Sequence, residues 1–493
     1  MKETLLILVP LVCAVLAFAW PDERRRPLLL PLTGSVHFLL TLWLFIQPPT
    51  IALTLSITPA TTTATAGDWI AFDALARAVL PMVSLLFLVC SFYGVGYLRI
   101  RSERKNRVFV TALLALLGLL SLALQAQNLG LLWVSAEAAT LVTVPLLHFN
   151  GTARAFEASW KYLLIGGTGI ALSLLGSFCL GYASLQSGGN GDLSFAALVH
   201  QGATLSHPWL VAAWVLLLAG YGTKMGLAPM HTWKPDAYGE APGIVGALLA
   251  GGVTTMAFVA ILRVKQITDA AGAHGMTTLT LLAFGLFSMF IAALFLLGTP
   301  NLKRMLAYSS VEHMGILAVG AALGEAGVCA ALFHVWTNSL TKGTLFLSAG
   351  NIHRAAGSLT LDKVSGMAWR TPASAAMLVA GMFAVTACPP FGPFFSELKI
   401  VVALLSTGNK LAAAIFLVCL LFAFFGLIRL VFAIVDGRPK AAARASGQHL
   451  LEKPGVILPP VVFLIVSVWL GLATPSPLSE AWTAAANLLT PMP

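Results

Sequence analysis

Long apolar runs alternate with short polar connections from one end of the chain to the other. Fourteen runs stand out, at 3–20, 27–46, 69–98, 108–127, 129–149, 160–183, 209–230, 240–263, 276–298, 302–323, 326–350, 373–402, 411–436 and 456–474. Each is close to the roughly 20 residues a helix needs to cross a bilayer core of about 30 Å. The pattern predicts an all-α membrane protein of about fourteen transmembrane helices.

Two runs are interrupted. The seventh reads Lys224-Met-Gly-Leu-Ala-Pro229, with Pro235 further on, and the twelfth reads Cys388-Pro389-Pro390-Phe-Gly392-Pro393. Proline lacks a backbone donor and clashes with the preceding turn, so breaks are expected at Pro229 and at Pro389, Pro390 and Pro393. Carbonyls freed inside a membrane must be buried in protein or line a wet cavity. One proline alone reads as a kink; several prolines with glycine at both sites favour a functional break. The breaks lie five runs apart. If runs 4–8 and 9–13 are two copies of one unit, the odd helix count inverts the second copy, as in many transporters. That expectation rests on the matching breaks, not on residue identity between the halves.

Composition agrees. Of 493 residues, 58% are hydrophobic and 10% charged, whereas soluble domains carry about 25% charged residues. A soluble globular enzyme is excluded. The six cysteines stand singly in apolar runs without a CxxC or Cys/His cluster, so no iron–sulfur, zinc or disulfide framework is expected. Lys2 before the first run resembles a signal peptide, but Glu3 beside it and the weak Ala17-Phe18-Ala19 site favour a retained helix.

The net charge of +10 is distributed, not patched, which argues against nucleic acid. Odd-to-even connections hold Arg24, Arg25 and Arg26; Arg99, Arg101, Arg104, Lys105 and Arg107; Arg154 and Lys161; Lys234; Lys303 and Arg304; Arg354, Lys363 and Arg370; and Arg438, Lys440, Arg444 and Lys453. Together they make 20 of the 29 basic residues, against Arg263, Lys265 and Lys410 in the even-to-odd connections. The positive-inside rule then places the odd-to-even connections in the cytoplasm and both termini outside, in a cell inner membrane. The stretches 59–68 and 184–192 read as flexible outer loops.

Ionisable residues deep in apolar runs carry the chemistry, because a charge at a helix centre costs about 2.5–3.5 kcal/mol on insertion scales. Glu137 lies in run five, Lys224 one turn before the break in run seven, and Glu312 and His313 ten residues into run ten. His334, Asn338 and Lys342 follow at i, i+4 and i+8, on one face of run eleven. Glu397 and Lys399 follow the second break. Blander readings stand beside these. A single histidine is more often a packing residue than a proton carrier, and Lys399 equally suits snorkelling at an interface. Arg77 and Arg429 suit structural anchoring, and Asp73 a helix cap. A buried carboxylate and amine that pair and separate, as Glu137 and Lys224 suggest, would act as a proton switch. The Gly166-Gly-Thr-Gly169 run lacks a preceding strand and reads as helix packing. No metal site or redox cofactor is expected on this chain.

At these residues the sequence resembles the antiporter-like subunits of respiratory complex I, Mrp-type sodium/proton antiporters and membrane-bound hydrogenases. The matching segments are Trp133-Val-Ser-Ala-Glu137, Lys224-Met-Gly-Leu-Ala-Pro-Met-His-Thr-Trp233 with Pro235-Asp-Ala, Ala307-Tyr-Ser-Ser, Phe333-His334 to Lys342-Gly-Thr-Leu-Phe, and Phe391-Gly-Pro-Phe-Phe-Ser-Glu397. Trp160-Lys-Tyr-Leu-Leu, Tyr221-Gly-Thr-Lys-Met-Gly and Tyr308-Ser-Ser-Val-Glu-His-Met-Gly315 are most similar to the F component of hydrogenase-4-type complexes. The resemblance implies discontinuous helices seven and twelve and a proton relay of Glu137, Lys224, His334, Lys342 and Glu397, with Glu312, His313, Asn338 and Lys399 as further members or supports. It implies N-terminal helices over 1–127 (the first repeat beginning near 108), a translocating region over 128–415 and C-terminal helices over 416–493. Relatives often carry a lysine or histidine near the middle of helix eight. This chain has Ala250, Thr254 and Thr255 there, so either threonine-ordered water bridges the halves or the halves are uncoupled and only one conducts, with the bridge favoured because Gly251 and Gly252 leave room for ordered water.

The function so implied is proton translocation as a non-catalytic subunit of a redox-driven hydrogenase-like or complex I-like assembly. Its partners would be other membrane and peripheral subunits, the lipid bilayer and protons or sodium. The alternatives are a subunit of a secondary sodium/proton antiporter, an inorganic-carbon uptake system, or an anchor without transport.

Overall fold

The computed structural model describes residues 2–47, 69–358, 360–361, 364–436 and 452–490. The loop expected at 59–68, and Lys363, Arg438, Lys440 and Arg444, lie outside the described residues. No strand occurs among the described residues. The helices are α1 (Leu5–Ala19), α2 (Leu29–Ile46), α3 (Ala74–Ile100), α4 (Arg107–Gln125), α5 (Leu129–Leu147), α6 (Ala153–Gln186), α7 (Phe195–His200), α8 (His207–Met225), α9 (Trp233–Glu240) and α10 (Gly243–Leu248). A π-turn (Leu249–Val253) joins α10 to α11 (Thr254–Ala270). There follow α12 (His274–Gly298), α13 (Leu302–Ala321), α14 (Gly324–Ala356), α15 (Met367–Arg370), α16 (Pro372–Val385), α17 (Gly392–Ser406), α18 (Lys410–Val435), α19 (Pro454–Leu472) and α20 (Ser476–Leu489).

Among the described residues nine helical segments are long and apolar enough to cross a membrane, and α1 and α16 are shorter apolar helices. The helices outside that set include α8, α13 and α14, which hold Lys224, the Glu312–His313 pair and the His334–Lys342 face. Their own polar residues lower their apolarity. Helices α13 and α14 are buried instead, α14 along nearly its whole length, and so is the continuous segment Gly243–Ala270. Lipid-facing helices such as α12 and α18 show the opposite pattern, with leucine and phenylalanine outward.

Both breaks form. Helix α8 stops at Gly226, whose φ of +84° is a left-handed conformation that glycine adopts without strain. Pro229 follows, and the chain re-enters helix at Trp233. Backbone groups freed here find partners: Ala228 N–H donates to Ser288 Oγ (2.9 Å), and the Trp233 indole donates to the Thr223 carbonyl (2.8 Å). The second break lies between Val385 and Gly392.

Three expectations change. Helix α6 begins at Ala153, where the Thr152 hydroxyl accepts from Ala155 N–H (3.0 Å), and it runs on to Gln186, so the loop expected at 184–192 starts late. Arg263 and Lys265, read as connection residues, lie inside α11 and are buried. Arg263 pairs with Asp73, which also caps α3 at Ala76 N–H (2.9 Å), and Lys265 pairs with Asp269 one turn on, so each charge enters the helix already neutralised. Finally, α20 follows the last apolar run. It is short and alanine-rich, and it buries Trp482 against Phe333 (ring centroids 5.0 Å apart).

Candidate functional site

The polar residues of the interior form a row from α5 to α17. In its first half Lys224, on the last turn of α8, is buried, and its ammonium donates to Tyr162 Oη (2.9 Å) and to Thr140 Oγ1. The Tyr162 hydroxyl also shares a hydrogen bond with Thr143 Oγ1 (2.7 Å), and the Trp233 ring stands edge-on to Tyr162 at 5.1 Å. Glu137 lies three residues before Thr140 on α5, half-buried, with Oε2 buried and unpartnered among the described residues. No ion pair joins Glu137 to Lys224 among the described residues; the amine is held by neutral hydroxyls.

The second half is fully enclosed. Lys342, on α14, donates to Ser309 Oγ of α13 (2.6 Å) and lies within electrostatic reach of Glu312 and Glu397. His334, two turns earlier, bonds through Nε2 to His313 Nδ1 (2.9 Å) and through Nδ1 to Ser396 Oγ on α17 (2.8 Å). Glu397 Oε1 stands 3.9 Å from His313 Nδ1, and both its oxygens are buried without a hydrogen-bond partner among the described residues. Asn338, between His334 and Lys342, is buried with Oδ1 unpartnered in the same sense. A neutral imidazole carries one donor and one acceptor nitrogen, so hydrogen-bonded imidazoles beside a carboxylate can pass a proton. The donor atoms of His313, His334 and Glu397 lie within 4.8 Å of one another, a set that also has the chemistry to hold a cation.

Other residues fall away from the row. Lys399 is exposed, with its ammonium 5.0 Å from the Phe333 ring. Arg429 donates to the Leu297 carbonyl (3.0 Å), and Arg77 stands over the Phe45 ring (5.0 Å). Thr254 and Thr255 are buried, but their hydroxyls donate to the Ala250 and Gly251 carbonyls (2.7 Å each) of the π-turn just before them.

The structure adds residues that sequence reasoning missed. Lys234, placed in a cytoplasmic connection, is on the first turn of α9 and fully buried, donating to Ser310 Oγ (3.2 Å). A charge flanked by proline and tryptophan just past a break gives no periodicity from which burial can be read. Tyr162, Thr140, Ser309 and Ser396 are ordinary helix residues by sequence, and only the packing of helices shows them as partners of the amines and imidazoles.

Known proteins match over the same region. Residues 126–423 match the family described as NADH:quinone oxidoreductase/Mrp antiporter, TM. The Hydrogenase-4 component F homolog of Methylacidiphilum infernorum is 37% identical over 361 residues, 71% of this chain and 75% of that protein. NADH-quinone oxidoreductase subunit N of Desulforudis audaxviator is 30% identical over 413 residues, 82% of this chain and 81% of its own length. In shape the chain is similar to one from the membrane-bound sulfane sulfur reductase, an archaeal respiratory membrane complex. The TM-score is 0.85 at 22% identity, covering 99% of this chain and 98% of that one.

Proposed function

The chain belongs to the NADH:quinone oxidoreductase/Mrp antiporter transmembrane family, and from that premise we propose that it is the proton-translocating, antiporter-like membrane subunit of a hydrogenase-4-type or complex I-type assembly. It is an integral, multi-pass membrane protein with partner subunits. The curated relatives described above are named as hydrogenase-4 and quinone oxidoreductase components, which favours a redox-driven complex over a free-standing antiporter.

One observation carries the reading: amines, imidazoles and carboxylates are buried in the interior of the helix assembly beside two broken helices. Uncompensated, such groups destabilise a membrane protein, and they are retained where charge must move. The relay consists of Glu137 and Lys224 in the first half and Lys342, Glu312, His313, His334 and Glu397 in the second. Thr140 and Tyr162 hold Lys224, and Ser309 and Ser396 hold Lys342 and His334. The finer architecture belongs to the same proposal: fourteen spans, two inverted five-helix repeats over runs 4–8 and 9–13, a translocating region over 128–415 and both termini outside the inner membrane. The matching breaks and the alternation of basic residues support it.

The test is proton translocation per electron transferred by the assembled complex in sealed vesicles. Lys224→Met removes the charge at similar length, and translocation is expected to fall about tenfold or more. Wild-type coupling in both Lys224→Met and Lys342→Met would overturn the reading.

A further inference from the structure

The segment Gly243–Ala270 packs on both α8 and α14, but its Ala250, Thr254 and Thr255 carry no group that ionises near neutral pH, and both threonine hydroxyls are bound within their own helix. A different residue reaches the surroundings of both lysines, Lys224 and Lys342. We propose that Lys234, entering from the far side of the first break, is the proton carrier that joins the two halves; this rests on the relay reading above.

Four observations support it. Lys234 is completely buried, and no acidic group pairs with it among the described residues, so an ammonium there has the neutral Ser310 hydroxyl and the Tyr238 ring (5.8 Å) to answer its charge. A purely structural cation so placed is costly to keep. Next, Ser310 is the neighbour of Ser309, the hydroxyl that receives Lys342 (2.6 Å), so consecutive residues of α13 carry the partners of both amines. A serine hydroxyl both donates and accepts, which suits it to pass a proton.

Third, Lys234 stands within electrostatic reach of Lys342, so a charge on one disfavours a charge on the other. Finally, the Lys234 side chain lies across Gly226, the residue that ends the helix of Lys224; a Cβ built at Gly226 would stand 2.8 Å from Lys234 Nζ. Trp233, beside Lys234 in sequence, packs on Tyr162, the phenol that holds Lys224. Lys234 thus touches the surroundings of both lysines. In each step one N–H bond breaks as another forms: Lys224 releases a proton to the neutral Lys234 amine through the polar break, and Lys234 releases one through Ser310 and Ser309 to neutral Lys342.

The test separates carriage from packing. Lys234→Met keeps the length and removes the charge. Lys234→Arg keeps a charge and donors but does not deprotonate at neutral pH. Lys234→His keeps an exchangeable proton. Measured in the assembled complex in sealed vesicles, the Met and Arg variants are both expected to lose translocation about tenfold or more, while His retains a measurable part. Wild-type translocation in Arg or Met, with Lys224→Met and Lys342→Met defective, overturns the bridge and leaves the relay standing. Full activity in Lys224→Met and Lys342→Met overturns the relay, and the bridge with it. Should the Lys234 variants fail to assemble, Ser310→Ala serves instead: a severalfold loss supports the bridge and an unchanged rate overturns it.

Discussion

At the first break Lys224 ends its helix and leans on two hydroxyls, with Glu137 half-buried one turn away from Thr140 along α5. Around Lys342, in the uninterrupted α14, two imidazoles and two carboxylates are enclosed with almost no exposure. An amine held by neutral oxygens loses its proton without stranding an opposite charge, so the first site is suited to taking up and releasing protons. In the second site the cation answers nearby acids, and removing it leaves Glu312 and Glu397 uncompensated. The first half resembles a valve and the second a store.

That contrast breaks most sharply at the two lysines. Lys342→Met is expected to abolish translocation and also to lower stability by about 3–5 kcal/mol, because buried carboxylates lose their counter-charge. Lys224→Met should match the loss of translocation with little loss of stability. Thermal unfolding of the purified complexes checks this, and equal destabilisation by both substitutions would erase the distinction. Next in size, Glu397→Gln keeps shape but fixes neutrality, so translocation should fall about fivefold or more, while Glu397→Asp retains part of it. If the two variants behave alike, charge at that position is irrelevant.

A smaller effect sharpens the first half. Thr140→Val removes one hydroxyl from Lys224; a hydrogen bond to a charged group contributes about 1.5 kcal/mol, so a several-fold slowing is expected in the same vesicle assay. The smallest effects belong to Thr255→Val and Lys399→Ala. The Thr255 hydroxyl serves its own helix and the Lys399 ammonium lies outside the row, so both variants should stay within about twofold of wild type. A marked loss in Thr255→Val would restore the threonine-ordered water bridge.

Legibility follows the same division. The break in run seven is readable because proline and glycine act locally, and the i, i+4, i+8 face of His334, Asn338 and Lys342 is readable because helix periodicity is local too. The contact of His313 with His334 across 21 residues, and of His334 with Ser396 across 62, depends on how helices pack. Charge misled where a partner lay close by: Lys265 with Asp269 at i+4 carried a pairing signal that outweighs a loop assignment, and Arg263 found Asp73 only in three dimensions. Lys234 was hidden for a related reason, since a basic residue after a break looks cytoplasmic until α9 is seen folded back into the protein.

The π-turn at Leu249–Val253 carries one more residue per turn than an α-helix. Gly251 sits there against α14, where a Cβ would lie 3.0 Å from that of Ser339, and the Ser339 hydroxyl donates to the Gly251 carbonyl (3.3 Å). Such a turn is the trace of a single inserted residue absorbed on the spot, with the flanking helices left in phase with their neighbours. Relatives with a regular α-helix here are expected to be one residue shorter between the positions matching 249 and 253.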